Sequence, residues 1–95
     1  MLADDYVVDV LMRDLVGHDH QPTSFLIYLW LSFEAGRSRR ERVPVSYQTI
    51  ADSVGVSKSA AQTGIRWLLN RKLIEVRKDS PTAVPTYRVL RPWRG

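Results

Sequence analysis

The sequence has no cysteine, which excludes a disulfide framework, a thiolate metal site and a thiol nucleophile. That absence fits a reducing compartment, and the expected location is the cytoplasm. Histidine is scarce as well, with His18 and His20 as the whole complement. They flank Asp19 in a His-x-His that binds metal only weakly, because two ligands in a flexible connector do not fill a coordination sphere. The plainer reading is a polar connector, and no metal or other cofactor is expected. No window approaches the ~18 apolar residues that a membrane-spanning helix needs, and the N-terminus lacks the basic start of a secretory signal. No glycine-rich phosphate loop follows a strand, and neither histidine has a serine and a carboxylate nearby in sequence. An enzyme is therefore not expected.

Charge of each sign is scarce in one part of the chain. Residues 1–36 contain one basic residue, Arg13, against six acidic ones, a net −5. Residues 37–95 contain thirteen basic against four acidic, a net +9, and the whole chain carries +4. A polyanion would dock on the second part. The bland alternative is an arginine-rich solubilising surface. At 95 residues the chain reads as one compact unit that buries about 60–65% of its unfolded surface around a single core. Within it, residues 1–21 read as an N-terminal helix and connector, and residues 22–95 as the main domain.

Ala3 to Val16 has helical periodicity, with Val7, Val8, Leu11, Met12 and Leu15 in one arc and Asp5, Asp9 and Arg13 opposite. Asp5 and Asp9 read as a solvated acidic face rather than as metal ligands, since no histidine joins them. Residues 17–21 read as a break. Pro22 opens a second helix at the position proline favours, and Ala35-Gly36 is its expected end. From Phe25 to Phe33 this helix is apolar nearly all round, so it should be buried on more than one side. One side covers the core, and the other meets the Ala3–Val16 helix or a second copy of the chain. A homodimer through the Ala3–Val16 and Phe25–Phe33 helices is thus one expected arrangement. Arg37, Arg39, Arg40 and Arg42 then form an exposed connector, read either as a contact to phosphates or as a solvated loop. Val43-Pro44-Val45 is a short edge strand, where proline is tolerated.

Ser46 is an N-cap, and Tyr47 to Val54 place Ile50, Ala51 and Val54 on one side of a short helix. Gly55 supplies a left-handed stop. Val56 turns inward, and Ser57 caps a second helix, Ser57–Arg71, whose apolar positions are Ala61, Gly64, Ile65 and Leu68. Ala51 and Gly64 are small where two helices cross closely. Leu73–Arg77 and Thr86–Leu90 read as an outgoing and a returning strand. Ile74 and Val76 share one face and Glu75 and Arg77 the other, while Tyr87 pairs with Val89. Pro81 and Pro85 stiffen the tip between the strands.

Ile50-Ala51, then Gly55-Val56-Ser57 after a three-residue gap, then an apolar-faced helix and two strands in register, together resemble a winged helix-turn-helix domain. The likeness covers residues 43–90 and is to bacterial, phage and plasmid DNA-binding proteins. The chain departs from the family at Ala61, where Val or Ile is usual, and at Lys72, where Gly is frequent. The resemblance implies a mainly α fold with a small antiparallel β wing, here with an extra N-terminal helix. It also implies that the Ser57–Arg71 helix enters the major groove of double-stranded DNA with the wing alongside. On its outward side, Ser59, Gln62, Thr63 and Arg66 are the candidate base readers, with Asn70 on the same stripe. Arginine grips guanine, glutamine grips adenine, and serine or threonine reads either. Tyr47, Gln48, Ser57 and Lys58 are placed to hold phosphates, and Arg77, Lys78 and Arg88 to reach the backbone or minor groove. Trp67 is expected to pack under the wing or the N-terminal helices, and Trp93 in the basic tail either to fold back on the core or to mark where a longer chain was cut. The implied role is sequence-specific binding as a nucleoid-associated transcriptional regulator. The same module serves in replication initiators and as a protein-contact domain, and those alternatives stay open.

Overall fold

The computed structural model describes residues 5–18 and 21–91. They form a mainly helical fold with a three-stranded antiparallel sheet. Ala3, Asp19, His20 and Trp93 lie outside the described residues, and so does the His-x-His reading that rests on them. The N-terminal helix is wound widely in two π segments, Val7–Leu11 and Arg13–His18, with the Met12 N–H bonded back to the Val7 carbonyl. It buries Val7, Leu11 and Leu15. Met12 does not join that stripe and is 42% exposed, on a flank it shares with Val16. The break expected from Gly17 starts later, since the winding runs through His18.

Helix α1 spans Pro22–Ser38, with Ser24, Phe25, Ile27, Tyr28, Leu31 and Ser32 buried. Proline suits its first turn because an N–H there has no intrahelical partner. The helix outruns the stop expected at Ala35-Gly36. Arg37 pairs with Glu34 and stacks over the Phe33 ring at 5.2 Å, and the Ser38 hydroxyl donates to the Glu34 carbonyl at 2.7 Å. The actual cap is Arg39, left-handed at φ 56°, whose N–H bonds the Ala35 carbonyl. Side-chain contacts within the last turn thus carry the helix past its glycine.

Strand β1 (Val43–Pro44) leads to α2 (Tyr47–Val54) and α3 (Lys58–Asn70). The Ser46 and Ser57 hydroxyl oxygens accept the N–H groups of Thr49 and Ala60, both at 3.1 Å, which fixes where each helix starts. Gly55 at φ 85° ends α2, with its own N–H and that of Val56 on the Ala51 carbonyl. After α3 the chain passes through Lys72, left-handed at φ 57°, at the position where the resembling family often has glycine. Strands β2 (Ile74–Arg77) and β3 (Thr86–Val89) follow, and the spatial order is β1-β3-β2. Val76 stands opposite Tyr87 and Glu75 opposite Arg88, so the expected division of faces holds. Leu90 continues the pairing through its N–H to the Leu73 carbonyl at 2.8 Å.

The core is one cluster that joins Leu11 and Leu15 to Ile27, Leu31, Ile50, Ile65, Leu68 and Tyr87. Burial of such side chains contributes about 1.5–3 kcal/mol each. Helix α1 is its centre, packed on α3, α2, the Arg13–His18 segment and the sheet. Gly64 is small for the sake of α1 rather than α2, because a Cβ there would stand 2.9 Å from Ile27 Cδ1. At the same crossing the buried Ser24 hydroxyl donates to the Gly64 carbonyl at 3.0 Å. Tyr28 ties α1 to the end of the sheet by donating to the Leu90 carbonyl at 2.8 Å. Among the described residues no helix is long and apolar enough to cross a membrane.

Candidate nucleic-acid interface

Helix α3 buries Ala61, Gly64, Ile65 and Leu68, so every third or fourth residue is committed inward. Geometry then sends Ser59, Thr63, Arg66 and Asn70 outward, and all four are exposed. The stripe is polar and carries no acidic residue. Gln62 is half-buried at its edge, where it lines a shallow cleft with Tyr47, Ile65, Arg66 and Leu69. The cleft thus brings one candidate phosphate holder, Tyr47, beside two candidate base readers. Trp67 is half-buried and packs against the core, and Lys58 is exposed on the first turn of α3.

Tyr47 also sits beside Tyr87 of β3. The Tyr87 side chain is fully buried, and its hydroxyl has no hydrogen-bond partner among the described residues. Burial first, then the neighbouring Tyr47 phenol, pushes its pKa well above the ordinary phenol range. The cleft itself presents the Tyr47 hydroxyl and the Arg66 guanidinium.

The remaining candidates divide by what already holds them. The Ser57 oxygen is occupied by the Ala60 N–H, leaving its hydroxyl proton to donate. Gln48 donates to Asp52 one turn on at 2.9 Å, which sets a carboxylate beside it. On the hairpin, Arg77 faces Asp79 at 3.7 Å. Arg88 bonds Glu41 at 3.1 Å and Glu75 at 3.5 Å, and Glu75 also takes Arg42 at 3.4 Å. These four side chains cover the outer face of the sheet. Exposed pairs of this kind contribute about 0–1 kcal/mol of stability each, but they lower the net positive charge the hairpin presents. Lys78 is exposed beside them, and the tip is apolar at Val84.

Arginine pairing also sorts the connector. Arg37 belongs to Glu34 and Phe33, and Arg42 to Glu75. Arg39 and Arg40 are exposed. Among the described residues, Arg39, Arg40, Lys58, Arg66 and Lys78 have no carboxylate partner. The sequence marked the connector as cationic, but pairs between residues 33 or 47 positions apart leave no local trace from which the free members could be picked. Among the described residues no three metal-ligating side chains cluster. Compared with models of protein families, with curated proteins and with solved structures, the chain shows no significant match.

Proposed function

We propose that this chain binds double-stranded DNA as a winged helix-turn-helix module, with α3 in the major groove and the β2–β3 hairpin alongside. The observation that carries the reading is the outward stripe Ser59, Thr63 and Arg66 on α3, exposed, polar and free of acid. An α-helix fits the major groove, and these side chains have the donors and acceptors that read base edges. Ser59, Gln62, Thr63 and Arg66 read bases. Tyr47, Ser57 and Lys58 hold phosphates at the helix ends, with Gln48 a weaker contributor because of Asp52. Lys78, Arg39 and Arg40 supply the unpaired charge at the periphery, while Arg77 and Arg88 contribute only by exchanging their carboxylates for phosphate. The module acts by occupying a specific site in the cytoplasm, as a transcriptional regulator or as the DNA-binding part of a replication initiator, and performs no catalysis.

Selection of bound duplexes from a random pool gives the site, and fluorescence anisotropy then gives the affinity. With about five phosphates neutralised per protomer, log affinity falls against log salt with a slope near −4 or −5. Arg66→Ala costs about 1–3 kcal/mol at the selected site and little on random duplex if the guanidinium reads a base. No binding to any duplex at low salt refutes the proposal. Equal losses on both duplexes reassign Arg66 to the backbone.

A further inference from the structure

The sheet has two outer edges, and they differ. At β1 the Val45 N–H bonds the Pro85 carbonyl at 3.1 Å, so Val43 is the next residue bonded to β3 and Pro44 between them turns its backbone outward. Proline has no N–H, and an edge that lacks its donor resists further pairing. At β2 the Leu90 N–H bonds the Leu73 carbonyl at 2.8 Å, so Glu75 and Arg77 carry the ladder to β3. Ile74 and Val76 therefore turn their N–H and C=O groups outward. No proline or bulge interrupts this strand, and the Val76 side chain is 41% exposed. One edge is blocked and the other is open.

Residue order along β2 identifies the occupant. We infer that β2 pairs edge to edge with β2 of a second copy of this chain, antiparallel, about a two-fold axis through Val76. An antiparallel ladder bonds outward residues to outward residues, so the axis must pass through a residue rather than between two. Through Val76, it sets Glu75 beside Arg77 of the second copy, twice, as a two-fold contact requires. Through Glu75 or Arg77, it would instead set like charges face to face. Through Ile74, the ladder would run into Lys72, whose left-handed φ of 57° departs from strand geometry.

Neither charge is used up within the chain. Arg42 and Arg88 both reach Glu75 at one oxygen, Oε1, at 3.4 and 3.5 Å, which leaves Oε2 to accept. Arg77 faces Asp79 through Nε alone, at 3.7 Å, which leaves its two terminal nitrogens to donate. Val76 shares its face with the buried Ile74, so the two Val76 side chains meet on that face and lose water together. A four-residue strand buries less than the roughly 800 Å² per partner of a standard interface, so the dimer is a weak, transient one. The pairing does not depend on the DNA-binding reading.

Sedimentation velocity on the full chain without DNA, over a wide concentration series, tests it. The wild-type chain sediments as a monomer–dimer equilibrium. Val76→Pro removes the outward N–H while the ladder to β3 stays whole, and it raises the dissociation constant roughly tenfold or more. Arg77→Glu opposes carboxylates at both ends of the contact and does the same. Circular dichroism and the melting transition verify that both variants keep their fold. The chain has no cysteine, so Val76→Cys puts a lone thiol on the axis, where bonded pairs stand about 5.5 Å apart between Cα atoms, within disulfide reach. Mild oxidation links it into a covalent dimer roughly tenfold faster than Asp79→Cys, which is exposed but off the axis. A monomer at every concentration overturns the proposal, and so does a dimer indifferent to Val76→Pro. A dimer indifferent to Arg77→Glu, or one that Asp79→Cys links as fast as Val76→Cys, overturns the Val76 axis.

Discussion

The α1–α3 crossing turns on one missing side chain, and adding it back has a calculable effect. A Cβ at Gly64 would meet Ile27 Cδ1 at 2.9 Å, Thr23 Cγ2 at 3.4 Å and the Ser24 hydroxyl at 3.5 Å. Ile27 is fully buried, so its methyl has little room to retreat. Replacing glycine by alanine inside a helix gains about 1 kcal/mol of propensity. Against that, an extra methyl in a packed core costs about 1–3 kcal/mol, and widening the crossing stretches the Ser24–Gly64 hydrogen bond, a further ~1 kcal/mol. Gly64→Ala is therefore expected to destabilise by about 1–3 kcal/mol, and Gly64→Val, whose γ-carbons reach into α1 itself, by more than Gly64→Ala. Ile27→Val removes the very methyl that clashes and alone costs about 1 kcal/mol. In the double variant Gly64→Ala with Ile27→Val the two losses should not add, falling short of their sum by about 1 kcal/mol. Urea unfolding followed by tryptophan fluorescence measures all four. Strict additivity, or a Gly64→Val variant as stable as wild type, would refute the argument that this crossing limits the packing.

Three further expectations concern single positions. Lys72 at φ 57° holds a conformation that costs an ordinary residue about 1–2 kcal/mol, so Lys72→Gly should raise the urea midpoint despite glycine's greater freedom when unfolded. An unchanged or lowered midpoint counts against it. The folded state holds the Tyr87 phenolic proton more tightly than the unfolded chain does. Its contribution is intact below the ordinary phenol pKa of about 10 and is lost as pH rises above it. Stability should thus fall above about pH 10, and Tyr87→Phe should flatten that fall while costing little at neutral pH, because the hydroxyl has no partner to lose. Melting curves across that range decide the matter. Ser57→Ala loses the α3 cap and about 1 kcal/mol, whereas Ser57→Asp keeps the cap but repels phosphate. Equal DNA affinity for Ser57→Asp and wild type would remove Ser57 from the phosphate contacts.

What the sequence disclosed is chemistry between neighbours along the chain. Ser46, Gly55 and Ser57 each act on backbone groups within four residues, so the bounds of α2 and the start of α3 were legible from residue type alone. Strand faces were legible for the same reason, since alternation is local. The end of α1 was not, because a glycine signal at Gly36 was outweighed by three contacts to Glu34 and Phe33 that only a formed helix brings together. Nor could periodicity say which side of α1 is bare, as a ring of Leu26, Leu29, Trp30 and Phe33 looks as buried as Ile27 and Leu31 until the neighbours are placed. The division of arginines into paired and unpaired needed the sheet, which joins Arg88 to Glu41 and Glu75.

The order β1-β3-β2 has a consequence for how the molecule is born. The central strand is the last to be synthesised, so both outer strands wait without a partner until Thr86–Val89 leaves the ribosome. Tyr28 waits too, for a carbonyl 62 positions later. A nascent chain halted before Thr86 has its helices but no sheet, and its two orphan edges are open to other chains. Completion therefore waits for Thr86–Val89, and the interval before it is when the sheet is most exposed to aggregation.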